Sequence, residues 1–290
     1  MPSIEEKRVY EADDGGREAV AATGIGVVRV AVSDDLIGEF GVQFRCRARD
    51  VAVADGRTLA AAEDVFCDGD ATDHGPAVAV TLSASHVVAA APDGVVSRRS
   101  VETLVTGPDG AARSDDSTRG ETDATHGARD SSADGAWERV GEVGEVRCLS
   151  GPLVGTDAGV FRIGDGLEPV GLSDVRDLAG RVPHAATGDG CYRLANGWQR
   201  VGTFDGPVEA VAVVGDSLAA ATREAVHTRD WWTDGWSRHP IPDTVALAGA
   251  GETLLALTEQ GTLHAAVGDG WRDRALGVTD PAGLAFFDPE

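Results

Sequence analysis

ATGDGCYRL at residues 186–194 is one copy of a short phrase that recurs along the chain. In most copies, small apolar residues lead to a turn, and a glycine then begins a second apolar run that often contains arginine, whereas Ala225 takes the place of the glycine in one copy. The other clear copies are ATGIGVVRV at 22–30, AAPDGVVSR at 90–98, GTDAGVFRI at 155–163, ATREAVHTR at 221–229 and LTEQGTLHA at 257–265, with a degenerate copy, AAEDVFCDG, at 61–69. The period of about 34 residues is typical of solenoids and propellers.

Each copy predicts a β-hairpin, because apolar residues flank a turn, which contains glycine in most copies. A strand-like run such as DVRDL at 174–178 precedes the phrase, and a turn that often carries tryptophan follows it, as in NGWQRVG at 196–202. Four short strands in every period are the pattern of a propeller blade. The seven copies therefore predict an all-β fold, a β-propeller with seven blades of about four antiparallel strands. A β-sandwich is the main rival, but it would not require the repeat.

Two terminal runs compete to close the predicted ring. PAGLAF at 281–286 resembles the first strand of a blade, but no further blade follows it. At the other end of the chain, the first repeated hairpin follows soon after the N-terminus. A terminal strand that completes the first blade would hide the edges of the ring. KRVY at 7–10 has the same strand-like character, so the sequence leaves open which run is innermost.

One segment interrupts the pattern. Residues 108–135 contain no Val, Ile, Leu, Met, Phe, Trp, Tyr or Cys, so they have nothing to bury, and we expect them to be disordered. They fall between the apolar run at 101–105 and WERV at 137–140, which places them among the last strands of the third blade. We interpret them as a tolerated surface insertion in a single propeller domain spanning residues 1–290.

The charge of the chain is strongly negative. Acidic residues number 48 against 25 basic ones, for a net charge of −23, and Lys7 is the only lysine. Repulsion at this charge density is screened only at high salt, which indicates a halophilic protein. Binding of cations or basic partners is a weaker explanation, because the acids are spread throughout. A nucleic-acid partner is disfavoured, since phosphate binding needs a positive surface.

The location of the protein is inferred from what the sequence lacks. No run approaches the roughly 18 apolar residues of a membrane span, and no apolar stretch follows the N-terminal MPSIEEKR. We therefore expect a cytoplasmic protein without a membrane partner.

Several phrases resemble an uncharacterised β-propeller family of haloarchaea. They are GVVRV, DVRDLAG, ATGDGCYRL and DGWRDRALG, together with the opening EKRVYE. The resemblance covers essentially the whole chain outside residues 108–135. It implies the propeller fold and a haloarchaeal source, and it supplies no catalytic residues.

Motifs that would indicate catalysis or a cofactor are absent from the sequence. The four cysteines, Cys46, Cys67, Cys148 and Cys191, are far apart, so they suit buried apolar positions better than a zinc site. No HExxH, GxSxG or P-loop motif occurs. We expect no metal and no cofactor, and the sequence favours a non-enzymatic protein.

Charged residues occupy the strands predicted to be innermost, where a packed strand would be apolar. Arginines there could hold a small anion at the mouth of the central channel, because the guanidinium group suits carboxylate and phosphate. The interleaved acids allow the alternative that these residues pair with one another around the channel. The candidates are Arg49, Asp50, Arg147, Arg176, Asp177 and Glu209.

The sixth blade contains two tryptophans that have no counterpart in the other copies of the repeat. Trp137, Trp198, Trp236 and Trp271 recur at the blade turn and indicate structural packing, which leaves Trp231 and Trp232 without a place in the pattern. Exposed tryptophan is enriched at binding hot spots, so the pair could form an interaction or self-association patch. The alternative is that this hairpin folds over and buries both rings.

The sequence thus bounds the function without specifying it. The preferred interpretation is a non-enzymatic interaction scaffold or binding module that presents a propeller face to a partner protein. The alternative is an enzyme or small-anion binder with its site at the mouth of the channel.

We predict that the fold depends on salt. Because the net charge is −23, melting temperatures in 0.1 M and 3 M KCl should differ by roughly tens of degrees. Equal melting temperatures in the two solutions would rule out the halophilic interpretation.

Overall fold

The computed structural model describes residues 16–33, 36–54, 56–106, 136–231, 235–267 and 270–287. Within these ranges, 28 β-strands form seven four-stranded antiparallel sheets, accompanied by one short helix, α1 (Val101–Thr106). The predicted seven-bladed β-propeller is confirmed.

The first three blades contain strands 1–11 and the last strand of the chain. Blade 1 consists of β1 (Arg17–Thr23), β2 (Gly26–Ser33), β3 (Leu36–Phe44) and β28 (Gly283–Phe287). Blade 2 consists of β4 (Asp50–Ala54), β5 (Arg57–Ala61), β6 (Val65–Cys67) and β7 (Asp70–Ala71). Blade 3 consists of β8 (Ala79–Ser83), β9 (His86–Ala90), β10 (Val95–Ser100) and β11 (Glu138–Glu142).

The remaining four blades follow the chain without exception. Blade 4 consists of β12 (Val146–Ser150), β13 (Leu153–Thr156), β14 (Val160–Ile163) and β15 (Leu167–Gly171). Blade 5 consists of β16 (Val175–Ala179), β17 (His184–Thr187), β18 (Gly190–Leu194) and β19 (Trp198–Gly202). Blade 6 consists of β20 (Val208–Val214), β21 (Ser217–Thr222), β22 (Val226–Asp230) and β23 (Ser237–His239). Blade 7 consists of β24 (Thr244–Ala250), β25 (Thr253–Thr258), β26 (Thr262–Val267) and β27 (Gly270–Ala275).

The C-terminal strand closes the ring. β28 pairs antiparallel with β1, so that Ala19 lies opposite Phe286 and Ala21 opposite Leu284. The innermost strand of each blade contacts the innermost strand of the next, and β28 lies between β24 and β4. The competing run at 7–10 lies outside the described residues.

The repeated phrase forms the hairpin between the second and third strands of a blade. Thr187 ends β17, and its buried hydroxyl donates a 2.8 Å hydrogen bond across the turn to the carbonyl of Gly190. Gly190 has a φ of 146°, and a Cβ atom there would collide with the carbonyl oxygen of Gly202 on the outermost strand. Glycine recurs at this position because the outermost strand passes directly against the turn. The equivalent threonine hydroxyls are those of Thr23, Thr156, Thr222 and Thr258.

Alanine and valine fill the space between blades. In β21 every residue after Ser217 is buried, although the run SLAAAT offers little side-chain volume. Small residues let adjacent sheets approach closely, and each of the seven hydrophobic clusters is shared between neighbouring blades. The four cysteines are buried and unbridged, and burial raises the pKa of the Cys191 thiol to about 12.

The recurring tryptophans connect blades at the outer wall. The indole N–H of Trp198 in blade 5 donates a 2.9 Å hydrogen bond to the carbonyl of Val170 in blade 4. Trp236 bonds in the same way to the carbonyl of Val201 at 3.3 Å. These contacts confirm the structural role expected for the blade-turn tryptophans.

Blade 3 contains the break in the repeat. β10 ends at Ser100 and pairs with β11, so that Arg98 lies opposite Glu138. The apolar run at 101–105 lies in α1, where Val101 and Leu104 pack against the cluster between blades 2 and 3. Residues 108–135 lie outside the described residues, and their predicted disorder stays a prediction. α1 is too short to cross a bilayer, so the described residues contain no helical membrane span.

Candidate functional site

The innermost strands bring the six predicted channel residues together. Arg49, Asp50, Arg147, Arg176, Asp177 and Glu209 all line one cavity of about 140 Å³ at the start of these strands. Arg147 and Arg176 each lie at an irregularity in the pairing of their inner strand with the next strand, and Arg49 directly precedes β4. Glu209 occupies the corresponding position in the inner strand of blade 6, as the comparison of the repeats predicted.

The arginines of blades 4 and 5 belong to a ladder of ion pairs, which we call the mouth ladder. Arg147 donates a 2.5 Å hydrogen bond to Asp174, and its Nε lies 3.4 Å from Glu145. Arg176 donates to both carboxylate oxygens of Glu209, at 2.6 and 2.8 Å, and also approaches Asp174 at 3.4 Å. The hydrogen bond from Arg147 holds the pKa of the Asp174 carboxyl below its usual range. Both guanidinium groups are thus already neutralised by carboxylates.

Arg49 differs from the other two arginines. Its guanidinium group is exposed at the mouth, and it makes no ion pair or hydrogen bond with another side chain of the described residues. An anion entering the mouth would compete with three carboxylates for Arg147 and Arg176, but with none of the described acids for Arg49.

The two aspartates lie deeper than the arginines, at a second level of the channel. Each carboxylate bridges two blades by accepting backbone N–H groups. Asp50 accepts from Val51 at 2.8 Å and from Val80 of blade 3 at 2.9 Å. Asp177 repeats the arrangement three blades further on, with N–H groups of Leu178 and Val211 at 2.8 Å each. The aspartates were predicted as one set with the arginines, but they line the cavity below the mouth as well as the mouth itself.

Burial governs the protonation of both aspartates. The pKa of Asp50 is raised to about 7, mainly by burial and to a smaller extent by the negative charge of Asp177. The two N–H groups oppose this shift. Burial likewise raises the pKa of Asp177 to about 6. No ion pair involving either carboxylate occurs within the described part of the chain. The channel therefore contains two acids, in blades 2 and 5, with pKa values of about 7 and about 6.

Below the aspartates the channel widens into a cavity of about 370 Å³, which we call the lower chamber. Asp50 and Asp177 line both this chamber and the cavity at the mouth, so they form the boundary between the two. Most of the surface that the lower chamber exposes is polar, and Thr81 and Ser150 are among its lining residues. Among the described residues, no three His, Cys, Asp or Glu side chains form a group suited to a metal ion.

Trp231 packs between blades 5 and 6. The centre of its half-buried ring lies 5.2 Å from the centre of the His184 ring. The guanidinium group of Arg193 lies over the Trp231 ring, 5.2 Å from the ring centroid. Burial lowers the pKa of His184 to about 4. Trp232 lies outside the described residues, so the proposed interaction patch stays a prediction.

A family model described as "Beta-prop_HVO_0234:-like, beta propeller" matches residues 3–287. The chain belongs to this family. The match confirms the resemblance inferred from the repeated phrases. A search of curated proteins finds no match.

Solved structures resemble this member of the family in fold. The computationally designed Ika8 protein has a TM-score of 0.57 at 15% identity, over 93% of this chain and 88% of its own. The extracellular domain of a putative hybrid two component system, BT4673, from B. thetaiotaomicron has a TM-score of 0.56 at 10% identity, over 85% and 38%. Apo AztD from Citrobacter koseri has a TM-score of 0.52 at 10% identity, over 92% and 83%. At these identities the likeness shows the fold alone.

Sequence reasoning missed the partners of the channel arginines in this HVO_0234-like propeller. Asp174 and Asp243 directly precede their inner strands, with φ values of 47° and 53°, and Asp280 lies three residues before β28 with a φ of 47°. Aspartate tolerates this left-handed conformation better than most residues. An aspartate repeated just before the inner strand was the signal that could have revealed the mouth ladder.

We predict that the Asp50→Asn variant changes how stability depends on pH. In wild type, the pKa of Asp50 is about 7 when folded and 3.8 when unfolded, so this group loses stabilising effect as pH rises between these values. Asparagine cannot ionise, so the melting temperature of the variant relative to wild type should increase by about 2 °C or more between pH 5 and pH 8.

Thermal melts in 3 M KCl check this prediction, with Asp205→Asn as the control, because Asp205 is exposed. A difference between Asp50→Asn and wild type that is the same at both pH values would contradict the assignment of the raised pKa to Asp50.

Proposed function

We propose that this propeller is a non-enzymatic binding module that holds an extended segment of a partner protein along the outer edge of blade 1. The observation that carries the proposal is an exposed apolar strip on β3. Leu36, Phe40 and Val42 are 60%, 36% and 40% exposed, respectively. Only one other large apolar side chain of the described residues is comparably exposed, Val182 at 47%.

β3 offers an open backbone edge beside this strip. It is the outermost strand of its sheet and pairs only with β2, so the other side of its backbone has no strand partner in the sheet. It contains nine residues, whereas the other outermost strands contain two to six. Unpaired N–H and C=O groups along such an edge are a template for an added strand.

The neighbouring blade leaves most of this edge open. The Arg274 side chain of blade 7 donates a 2.8 Å hydrogen bond to the carbonyl of Ile37 and a further bond to that of Gly38. Its guanidinium group also lies 4.9 Å from the centre of the Phe40 ring. These contacts anchor the beginning of β3 to blade 7, and the stretch from Phe40 onwards is the part that an incoming strand would meet.

The proportion of charged residues in β3 is lower than in the other outer strands. LIGEFGVQF contains one charged residue, Glu39, in nine positions. GWRDRA of β27 and ERVGE of β11 contain three each, and the four remaining outer strands contain one charged residue in two to five positions. Charges on edge strands normally prevent unwanted pairing. Their scarcity on β3, in a chain with a net charge of −23, supports a retained binding function.

The mouth of the channel supports a second candidate, the binding of a small anion by Arg49. The exposed guanidinium group without a described side-chain partner favours it. An enzymatic site at the mouth is less well supported, because the other polar groups there are engaged in the mouth ladder.

The proposed function predicts that charge on β3 abolishes partner binding. Wild type and a Phe40→Lys, Val42→Lys double variant should be used for affinity capture in 3 M KCl, followed by mass spectrometry. The double variant should lose a partner, because lysine on an edge strand disfavours strand addition. Hydrogen exchange of the purified complex should show slower exchange of the β3 amides.

Val182→Lys is the matched control, since Val182 is equally exposed but lies outside β3. The proposal fails if the double variant melts like wild type and keeps every partner, or if the complex leaves β3 exchange unchanged.

A further inference from the structure

The sheet of blade 1 has two edges, and they differ in what covers them. The strand order is β28-β1-β2-β3, so the edges are β28 and β3. β28 lies inside the ring between β24 and β4, whereas β3 lies at the outer wall and pairs only with β2 among the described strands. Three of the four exposed large apolar side chains in the described ranges belong to β3. The outer edge of blade 1 is therefore the one that can accept a further strand.

The chain that precedes β1 enters blade 1 at the end of the sheet where β3 begins. Arg17, the first residue of β1, lies opposite Val32 of β2. Val32 also lies opposite Ile37, the second residue of β3. A run that precedes Arg17 must lead towards this end of the sheet, whereas β3 leads away from it. On the outer edge, such a run would lie antiparallel to β3, which is the arrangement of every other neighbouring pair in the sheet.

The N-terminal sequence provides a strand-like run and a tether that can reach this edge. The run is KRVY at 7–10, and its alternative place at the inner edge is occupied by β28. The tether is EADDGG at 11–16, which contains three acids and two glycines. Six extended residues span roughly 20 Å. A strand beyond β3 lies about 14 Å from β1, and Phe40 lies about 10 Å further along the sheet than Ile37, so the path is about 17 Å.

The family match and the charges of the two runs support this pairing. The family model matches residues 3–287, and its last matched residue is also the last residue of β28. Its first matched residue lies before the run at 7–10, so this run belongs to the domain that the family shares. Lys7 and Arg8 are basic, and Glu39 is the one charged residue of β3. Opposite charges on neighbouring strands stabilise their pairing.

We propose that residues 7–10 pair with β3 as a fifth, antiparallel strand of blade 1 and so regulate the access of a partner strand to this edge. The regulatory part rests on the function proposed above. The tether raises the effective concentration of the run at the edge, so the run occupies β3 when no partner is present. Four residues cover less than half of the nine-residue β3, so a longer partner strand makes more cross-strand contacts and displaces them.

Hydrogen exchange of the full-length protein alone, in 3 M KCl, tests the docking of residues 7–10. In a Val9→Pro variant, the β3 amides that face away from β2 should exchange at least about tenfold faster than in wild type, because proline disrupts strand pairing. Ala12→Pro is the matched control, since it places the same residue in the tether, and it should exchange like wild type. A synthetic peptide of residues 1–15, added in excess to the Val9→Pro protein, should restore slow exchange.

Equal exchange of the β3 amides in wild type and Val9→Pro would overturn the proposal. Slow exchange that disappears when wild type is diluted would also overturn it, because the edge would then be covered by a second copy of the chain. The regulatory part predicts that Val9→Pro captures more of the β3 partner than wild type does, and equal capture would contradict that part. The exchange measurement requires no partner, so a failure of partner capture at β3 would refute the proposed function without altering the result for residues 7–10.

Discussion

The pairing of β28 with β1 is the constraint on which the rest of the structure depends. Blades in a propeller are held by side-by-side packing, and a ring built only from consecutive blades would open between the first and the last. Here the last five-residue strand of the chain completes the first blade, and its side chains enter the hydrophobic clusters on both of its faces. β28 also lies between β24 and β4, so one strand closes both the sheet and the channel wall. The site geometry follows from this closure, because the seven inner strands share one register around the axis only if the ring is complete.

The closed channel assigns different electrostatic environments to side chains that are adjacent in sequence. Arg176 points to the mouth, where Asp174 and Glu209 neutralise it, whereas Asp177 points to the narrow level below and is held by backbone N–H groups of two blades. Each ion pair at the mouth contributes little stability because solvent screens it, but several pairs that share charged groups hold one another in place. Burial at the second level raises the pKa of Asp50 to about 7 and of Asp177 to about 6, so a change of pH near neutrality changes their charge. The channel therefore contains charges that pair with one another at its mouth and, further in, two acids that have no basic partner among the described residues.

The sequence predicts the fold because the repeat is a local property: the threonine, the turn glycine and the following apolar run lie within a few residues of each other. The same logic places all six channel residues on one cavity. The choice between the two terminal runs could not be made in this way, since both 7–10 and 281–286 are short and strand-like and the sequence of β1 does not specify which run pairs with it. The mouth ladder joins Arg147 to Asp174 across 27 positions, and it depends on the distance between blades, which no single blade encodes. The apolar strip on β3 was missed for a related reason: a run such as LIGEFGVQF reads as core until the strand is known to be outermost.

Unfolding of a chain truncated after Thr279 tests the closure most directly. In 3 M KCl, loss of β28 should abolish the single cooperative transition of the full-length protein, because β1 would lose its inner partner and two hydrophobic clusters would be exposed to the channel. A synthetic peptide covering residues 280–290 should restore the cooperative transition when added in excess, since the strand is held by non-covalent pairing alone. A truncated protein that melts at the temperature of the full chain, with the same cooperativity and no response to the peptide, would contradict the account.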